Sequence, residues 1–267
     1  MLLCIDVGNT ETKLGFFGAP STGVGVEMAA EWRITTIRTR TYDEYGVLFT
    51  ALFKESGIPL SAVRAIAMSS VVPPADRDLR EGCKRYFKAD PLVLSAKTQH
   101  VMDVRTERPT ELGSDMLAAA IGARGKYGTP LIVIGYGTAT TFSAIGRDGA
   151  FLGTAIAPGI QVSIDALVAR AAKLPQVAFE RPHSPIGRET VESLQSGLVY
   201  GFVGQTEGII RRFKEVLGAD AHVVATGGLA DVVADNTDLI EFVDKELALE
   251  GLRIFWEAEV ASSVVSS

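Results

Sequence analysis

Apolar and polar positions divide the first part of the chain into short, sharply bounded pieces. In residues 2 to 17 an apolar run, LLCI, leads through a glycine-bearing polar turn, DVGNTETK, into a second run, LGFF. Runs this short, bounded by turn residues, fit buried strands, so the chain is expected to open on a β-hairpin at the start of a sheet. Residues 42 to 56 change to helical spacing, with Tyr45, Leu48, Phe49, Leu52 and Phe53 on one face and Gly57 and Pro59 as the stop. AIAMSSVV reads as a strand ahead of Pro73 and Pro74, residues 76 to 88 as an amphipathic helix, and PLVLS at 91 to 95 as another buried strand. Strand and helix alternate, which places the fold in the α/β class.

TELGSDMLAAAIGARGKYG, following Pro109, reads as a helix rich in small residues and leads into PLIVIGYGTATTFSAI at 130 to 145. That second segment echoes the first: a shift of 129 positions sets Ile5, Gly8 and Thr12 on Ile134, Gly137 and Thr141. One repeat of this length points to duplicated domains rather than a solenoid, although so short a match also arises by chance. FLGTAIAPGI is a further glycine-rich piece, residues 188 to 217 read as a long helix, and HVVATGGLA at 222 to 230 as a strand entering a Gly-Gly turn. Leu194, Leu198, Phe202 and Ile209 form an apolar stripe on the long helix that serves either a subunit interface or its own domain core. The tail VASSVVSS is expected to be loosely held.

Composition narrows the class. With 267 residues, 47% hydrophobic and 22% charged, 27 Gly and 11 Pro, the chain can bury one large or two modest cores, which excludes a disulfide-stapled peptide, collagen and a disordered chain. The formal charge of −6, from 26 Lys plus Arg against 32 Asp plus Glu, and a pI near 5.2 leave no basic reservoir for counterion release, so no nucleic-acid partner is expected. The start, MLLCIDVGNT, lacks a basic leader and meets Asp6 too early for a secretory apolar core. No apolar stretch long enough for a membrane span follows, and Cys4 and Cys83 are the only cysteines. A cytoplasmic protein with no membrane association is expected.

Three glycine-bearing turns, DVGNT, GYGTATT and TGGLA, each follow a β-branched strand. Glycine lets backbone N–H groups approach phosphate oxygens, and Thr and Asn add donors. Tight hairpins need Gly and Asn in any case, so one such turn alone says little; three in order say more.

DVGNTETK, ELGSD, GTATT, FLGTAIAPGIQVSIDAL, IGRETVESLQSG and TGGLA, in this order, resemble the type III pantothenate kinases over residues 1 to about 256. That family belongs to the acetate and sugar kinase, chaperone and actin superfamily. The resemblance implies duplicated ribonuclease-H-like (actin-like ATPase) domains with mixed sheets and an interdomain nucleotide cleft, residues 1–115 forming the N-terminal and 116–267 the C-terminal subdomain. It further implies a homodimer that uses ATP and Mg2+ to phosphorylate pantothenate to 4'-phosphopantothenate, the first step of coenzyme A biosynthesis. A monovalent cation, K+ or NH4+, is expected of the family.

Residue by residue, the resemblance makes Asp6 the Mg2+ ligand, a role that suits a strand-end carboxylate because Mg2+ takes one or two carboxylates and keeps several waters; the alternative is a turn aspartate bonding its own backbone. Gly8, Asn9, Thr10 and Lys13 complete the first phosphate turn, Lys13 offsetting charge on the transferred group. Gly137 and Thr138 match the second phosphate turn, and Gly227 and Gly228 the adenosine motif. Asp115 falls on the catalytic base, or else is a helix-terminal charge favoured by the macrodipole. Gly113, Ser114, Asp115, Met116 and Thr190 fall on substrate positions, Thr190 alternatively capping the long helix.

Several positions depart from the pattern. Gly135 stands where the family carries the cation-binding Asp, Ser143 where it carries Asp, Met116 where it carries a substrate-contacting Arg, and Thr106 where an aromatic is common. Arg105 and Arg108 lie near enough in sequence to replace the lost Arg. Two further readings therefore stand beside pantothenate kinase: a degenerate paralogue acting as a nucleotide-binding regulator, and a kinase for another small primary alcohol.

Overall fold

The opening hairpin forms as expected in the computed structural model, which describes residues 1–18 and 26–265 and the side chains to residue 262. β1 (Leu2–Val7) pairs antiparallel with β2 (Glu11–Gly18), and β2 with β3 (Glu27–Thr35), an edge strand whose mostly charged and small residues carry no clear alternation. α1 (Tyr42–Glu55) starts on a capping box in which Thr41 and Glu44 bond each other's backbone, and it buries Tyr45, Phe49 and Phe53, leaving Leu48 and Leu52 half-buried. β4 (Ala65–Ser70) lies parallel to β1, α2 (Pro73–Phe87) begins on its two prolines rather than at residue 76, and β5 is only Leu92–Val93. α3 (Ser114–Tyr127) starts after a 3₁₀ turn at Pro109–Glu111.

β6 (Leu131–Tyr136), β7 (Ala139–Ile145) and β8 (Phe151–Pro158) form an antiparallel meander, followed by α4 (Ile160–Arg170), α5 (Thr190–Leu217), β9 (His222–Gly227), α6 (Ala230–Ala234), β10 (Phe242–Val243) and α7 (Leu247–Val265). The tail is helical to Val265; Ser266 and Ser267 lie outside the described residues.

The two sheets share one plan. The first runs β3-β2-β1-β4-β5 and the second β8-β7-β6-β9-β10, with antiparallel pairs on one side of the first strand and parallel pairs on the other in both. β1 and β6 are central and buried on both faces, which explains their unbroken apolar runs. The register corrects one expected equivalence: Val7 opposes Thr12, but Tyr136 opposes Thr140 across a turn one residue shorter. Thr12 therefore corresponds to Thr140, not Thr141; Thr141 is the counterpart of Lys13, and Gly135 of Asp6.

The chain divides into two compact units, one of Met1–Met102, Glu107–Gly125 and Leu247–Ser267, the other of Asp103–Thr106 and Lys126–Glu246. These units do not follow a single break after residue 115, because α3 stays with the first to Gly125 and α7 returns to pack on β1, β2 and β4. In the first unit Leu3, Ile5, Leu14, Phe49, Phe53 and Met68 share one core; in the second, Ile132, Ile134, Phe142, Val199 and Val223 share another. Cys4 and Cys83 are buried and unpaired, as apolar strand and helix positions predict. Among the described residues no helix is long and apolar enough to cross a membrane.

Candidate active site

In the first unit the end of β1 and the start of α3, each carrying a carboxylate, are both tied to the end of β4. Asp6 lies between the buried Ile5 and Val7, so the pleat turns it away from their core face. It stands opposite Lys13 on β2 and beside Ser69 on β4, whose hydroxyl donates to Asp6 Oδ1 at 2.6 Å. It is a strand residue bonded to a neighbouring strand, not a turn aspartate bonding its own backbone. The turn beyond it is closed by the Gly8 N–H donating to the Glu11 carbonyl at 3.0 Å, with Asn9 and Thr10 exposed at the tip.

Asp115 occupies the first turn of α3, where the Met116 N–H donates to its Oδ1 at 2.8 Å. Gly113 is needed for this arrangement, since a Cβ there would sit 2.6 Å from Asp115 Oδ1. Burial, opposed by the Ser69 hydrogen bond, strengthened by the charge of Asp115 and opposed by Lys13, raises Asp6 to about 6. Burial also raises Asp115, against the Met116 N–H. Two partly desolvated carboxylates that repel each other are relieved by a cation. Among the described residues no cluster of three or more His, Cys, Asp or Glu could hold a metal ion; one carboxylate is a donor set of the kind that Mg2+ takes when water supplies the remaining ligands.

In the second unit the Gly137 N–H closes the equivalent turn onto the Ala139 carbonyl at 3.1 Å, leaving Gly137 and Thr138 exposed. Gly227 pairs in register with Tyr136 and has φ +101; a Cβ there would lie 2.3 Å from the Tyr136 carbonyl, so only glycine fits, while Gly228 has open space. Here no carboxylate stands at the strand end: Gly135 is half-buried, and a Cβ on it would meet Thr141 Oγ1 at 2.8 Å. Ser143 is buried on β7. Thr190 is not the cap of α5, which is Glu189; it lines a cavity of about 460 Å3 with Leu174, Arg188, Glu189, Ser193 and Leu194.

Arg105 is bound by Asp103 at 2.7 Å and Asp148 at 2.6 Å, and Arg108 by Glu111 at 3.0 Å. Both are exposed and paired with carboxylates close by. Sequence reasoning missed Ser69 and Ser70; the only hint was a Ser-Ser pair ending an apolar strand just ahead of two prolines.

Two five-stranded mixed sheets of one topology, each opening on a glycine-turn hairpin, define a duplicated α/β architecture. The activator of 2-hydroxyisocaproyl-CoA dehydratase from Clostridium difficile, solved with bound ADPNP, shares that fold at a TM-score of 0.56 and 12% identity, over 98% of this chain and 97% of its own. A family model, type III pantothenate kinase, matches residues 2–212. Type III pantothenate kinases from Anaeromyxobacter sp. (strain Fw109-5) and Acidobacterium capsulatum are 47% and 43% identical over 96% and 98% of this chain and 99% and 96% of their own. The chain belongs to the type III pantothenate kinase family.

Proposed function

We propose that this chain phosphorylates pantothenate with ATP, giving 4'-phosphopantothenate at the first step of coenzyme A biosynthesis. The observation that carries the reading is that Asp6 and the Asp115 turn are tied to successive residues of β4, Asp6 by the Ser69 hydroxyl and the turn by the Ser114 bonds to Ser70, in a chain aligned almost end to end with named kinases of this class. Asp115 is the general base: its carboxylate accepts the proton of the attacking primary hydroxyl, and burial moves its basicity towards the working pH, where a base is most effective. Lys13, directly across from Asp6, offsets charge on the transferred phosphoryl group. Asp6 would hold Mg2+, which neutralises phosphate oxygens when bound. Gly8, Asn9 and Thr10 in the first unit, and Gly137, Thr138, Gly227 and Gly228 in the second, are assigned to the nucleotide. Gly113, Met116 and Thr190 are assigned to the acceptor.

No monovalent cation is assigned at position 135, because Gly135 brings no carboxylate and Thr141 Oγ1 fills the space a side chain there would take. The subunit is assigned to a cytoplasmic homodimer. Gly197, Gly201 and Gly204 leave open space along one exposed face of α5, beside a cavity of about 140 Å3 where Gln205 Oε1 is buried without a partner. Of the expected apolar stripe, Leu198, Phe202 and Ile209 are half-buried against their own core, so the glycine face rather than that stripe is assigned to the partner copy.

Purified protein with ATP and Mg2+, tested against pantothenate, pantetheine and a panel of polyols, decides among the readings. Transfer to pantothenate supports the assignment, transfer to another alcohol only moves the acceptor, and nucleotide binding without any transfer identifies a regulator. Met116→Arg is expected to lower KM for pantothenate about tenfold by supplying a charged donor, with ATP affinity little changed.

A further inference from the structure

Three serines tie the strands and helix that carry the two carboxylates: Ser69 bonds Asp6, and Ser114 bonds the main chain of Ser70. Ser114, the first residue of α3, is 8% exposed. Its Oγ accepts from the Ser70 N–H at 3.0 Å and donates to the Ser70 carbonyl at 2.9 Å. Its single proton and one lone pair are therefore engaged by main chain. Ser70 ends β4, next to the Ser69 that holds Asp6, and its own hydroxyl donates to Asp76 on α2 and accepts from the Val72 N–H at 3.1 Å. All of these residues belong to the first unit.

The start of α3 depends on this anchor. The first turn of a helix leaves N–H groups without intrahelical partners and frays unless something outside holds it. In α3 the Leu117 N–H bonds the Gly113 carbonyl, the Met116 N–H is taken by Asp115, and the tie from this turn to the sheet is the Ser114–Ser70 exchange. Any rotation of the turn carries Asp115 with it, while Asp6 stays fixed in the sheet.

We propose that Ser114 is a positioning residue: by exchanging hydrogen bonds with the Ser70 backbone it locks the first turn of α3 to the end of β4 and sets the Asp115 carboxylate against Asp6. The proposal rests on Asp115 being the base of the proposed reaction. It gives the Ser114 hydroxyl a role other than contact with the acceptor.

Ser114→Ala is the test, with the nearly isosteric Ser114→Cys as a second variant should the first fold poorly. Misplacing a catalytic group by a fraction of an ångström to an ångström costs up to about a hundredfold, so kcat is expected to fall about ten- to a hundredfold. KM for ATP should change by less than about threefold. In an Asp115→Asn background the same substitution should cost nothing further, because the group it positions is gone. Amide exchange at Met116 in the substrate-free protein should accelerate by about tenfold or more, with β1 amides unchanged. An unchanged kcat, a rise in KM for pantothenate alone, a full additional loss in the Asp115→Asn background, or an unaltered Met116 amide would each overturn the proposal. If the unmodified protein transfers nothing to pantothenate, the proposed reaction fails, and the Met116 exchange still decides whether Ser114 anchors the turn.

Discussion

The two units carry the same strand plan and different chemistry at the same places in it. In the first, Asp6 faces Lys13 across the hairpin and Ser69 on the parallel neighbour; in the second, Gly135 faces Thr141 and Thr226. One pair of turns is closed by the same glycine N–H to carbonyl bond, at 3.0 Å and 3.1 Å. The backbone is thus repeated where the hydrogen-bond ladder dictates it, while the ionisable groups sit in one copy only. A duplicated fold supplies two equivalent strand ends, and only the side chains placed there make one of them a site.

The sharpest way to break this comparison is to remove the proposed base. Asp115→Asn should lower kcat by about a hundred- to ten-thousandfold, the range for a positioned general base, measured by coupled assay at saturating ATP and pantothenate. The counterpart pair gives a finer contrast. Lys13→Ala should cost about ten- to a hundredfold in kcat through lost charge stabilisation, whereas Thr141→Ala, at the same register position, should stay within about threefold. Equal losses at Lys13 and Thr141 would show that the second copy does as much chemistry as the first.

Asp6 should separate activity from stability. Its carboxylate is raised from 3.8 to about 6 in the folded protein, chiefly by burial. Folding therefore favours the protonated form: that contribution is fully present below about pH 4 and is lost as pH rises through about 6. Asp6→Asn should stabilise the ligand-free protein at pH 7.5 by roughly 1 to 2 kcal/mol, less than the shift alone implies because the amide must still be buried. It should at the same time abolish most Mg2+-dependent turnover. Thermal melting of the unmodified protein without nucleotide should show Tm falling between about pH 5 and pH 7, with a shallower slope in the Asn variant. A variant less stable at pH 7.5 than its parent would mean that the Ser69 and Lys13 contacts outweigh burial at Asp6.

The sequence made some of this legible and not the rest, for physical reasons. β1, β6, α1 and α5 have long or sharply bounded apolar patterns and were foreseen. β3 was missed because its mostly charged and small residues show no clean period-2 pattern, and β10 because two residues carry no period at all. β8 and α4 share a stretch of small residues and glycine whose helical half is largely exposed. The first unit takes in α7, which returns from the end of the chain to pack on β1, β2 and β4, and no local pattern announces such a return. Asp6 and Asp115 stood out through the family resemblance, with which their places at a strand end and a helix start agree. Ser69 and Ser70 did not: the Ser69 hydroxyl bonds Asp6 across parallel strands, which leaves no spacing signature, and Ser70 meets Ser114 through its main chain, which no side chain announces. The threonine equivalence slipped by one residue because the second turn is shorter, which only the register reveals.

The smallest expected effect concerns potassium, and it tests the emptier half of the comparison. A monovalent cation is held by oxygen atoms, and a carboxylate among them supplies the neutralising charge. Gly135 supplies none, and the space at its Cα is taken by Thr141 Oγ1, 2.8 Å from where a Cβ would lie. Replacing sodium by potassium or ammonium at constant ionic strength should therefore change kcat/KM by less than about twofold. Gly135→Asp alone must push Thr141 aside and should melt lower than its parent, whereas Gly135→Asp combined with Thr141→Ala has room for the carboxylate and should regain most of that loss. If a potassium response can be restored by charge alone, it should appear in the double variant and not in the parent. Strong, saturable activation of the parent by potassium would mean that other oxygens hold the ion, and that the second unit has kept a charged-ligand role that its Gly135 and Thr141 pair gives no sign of.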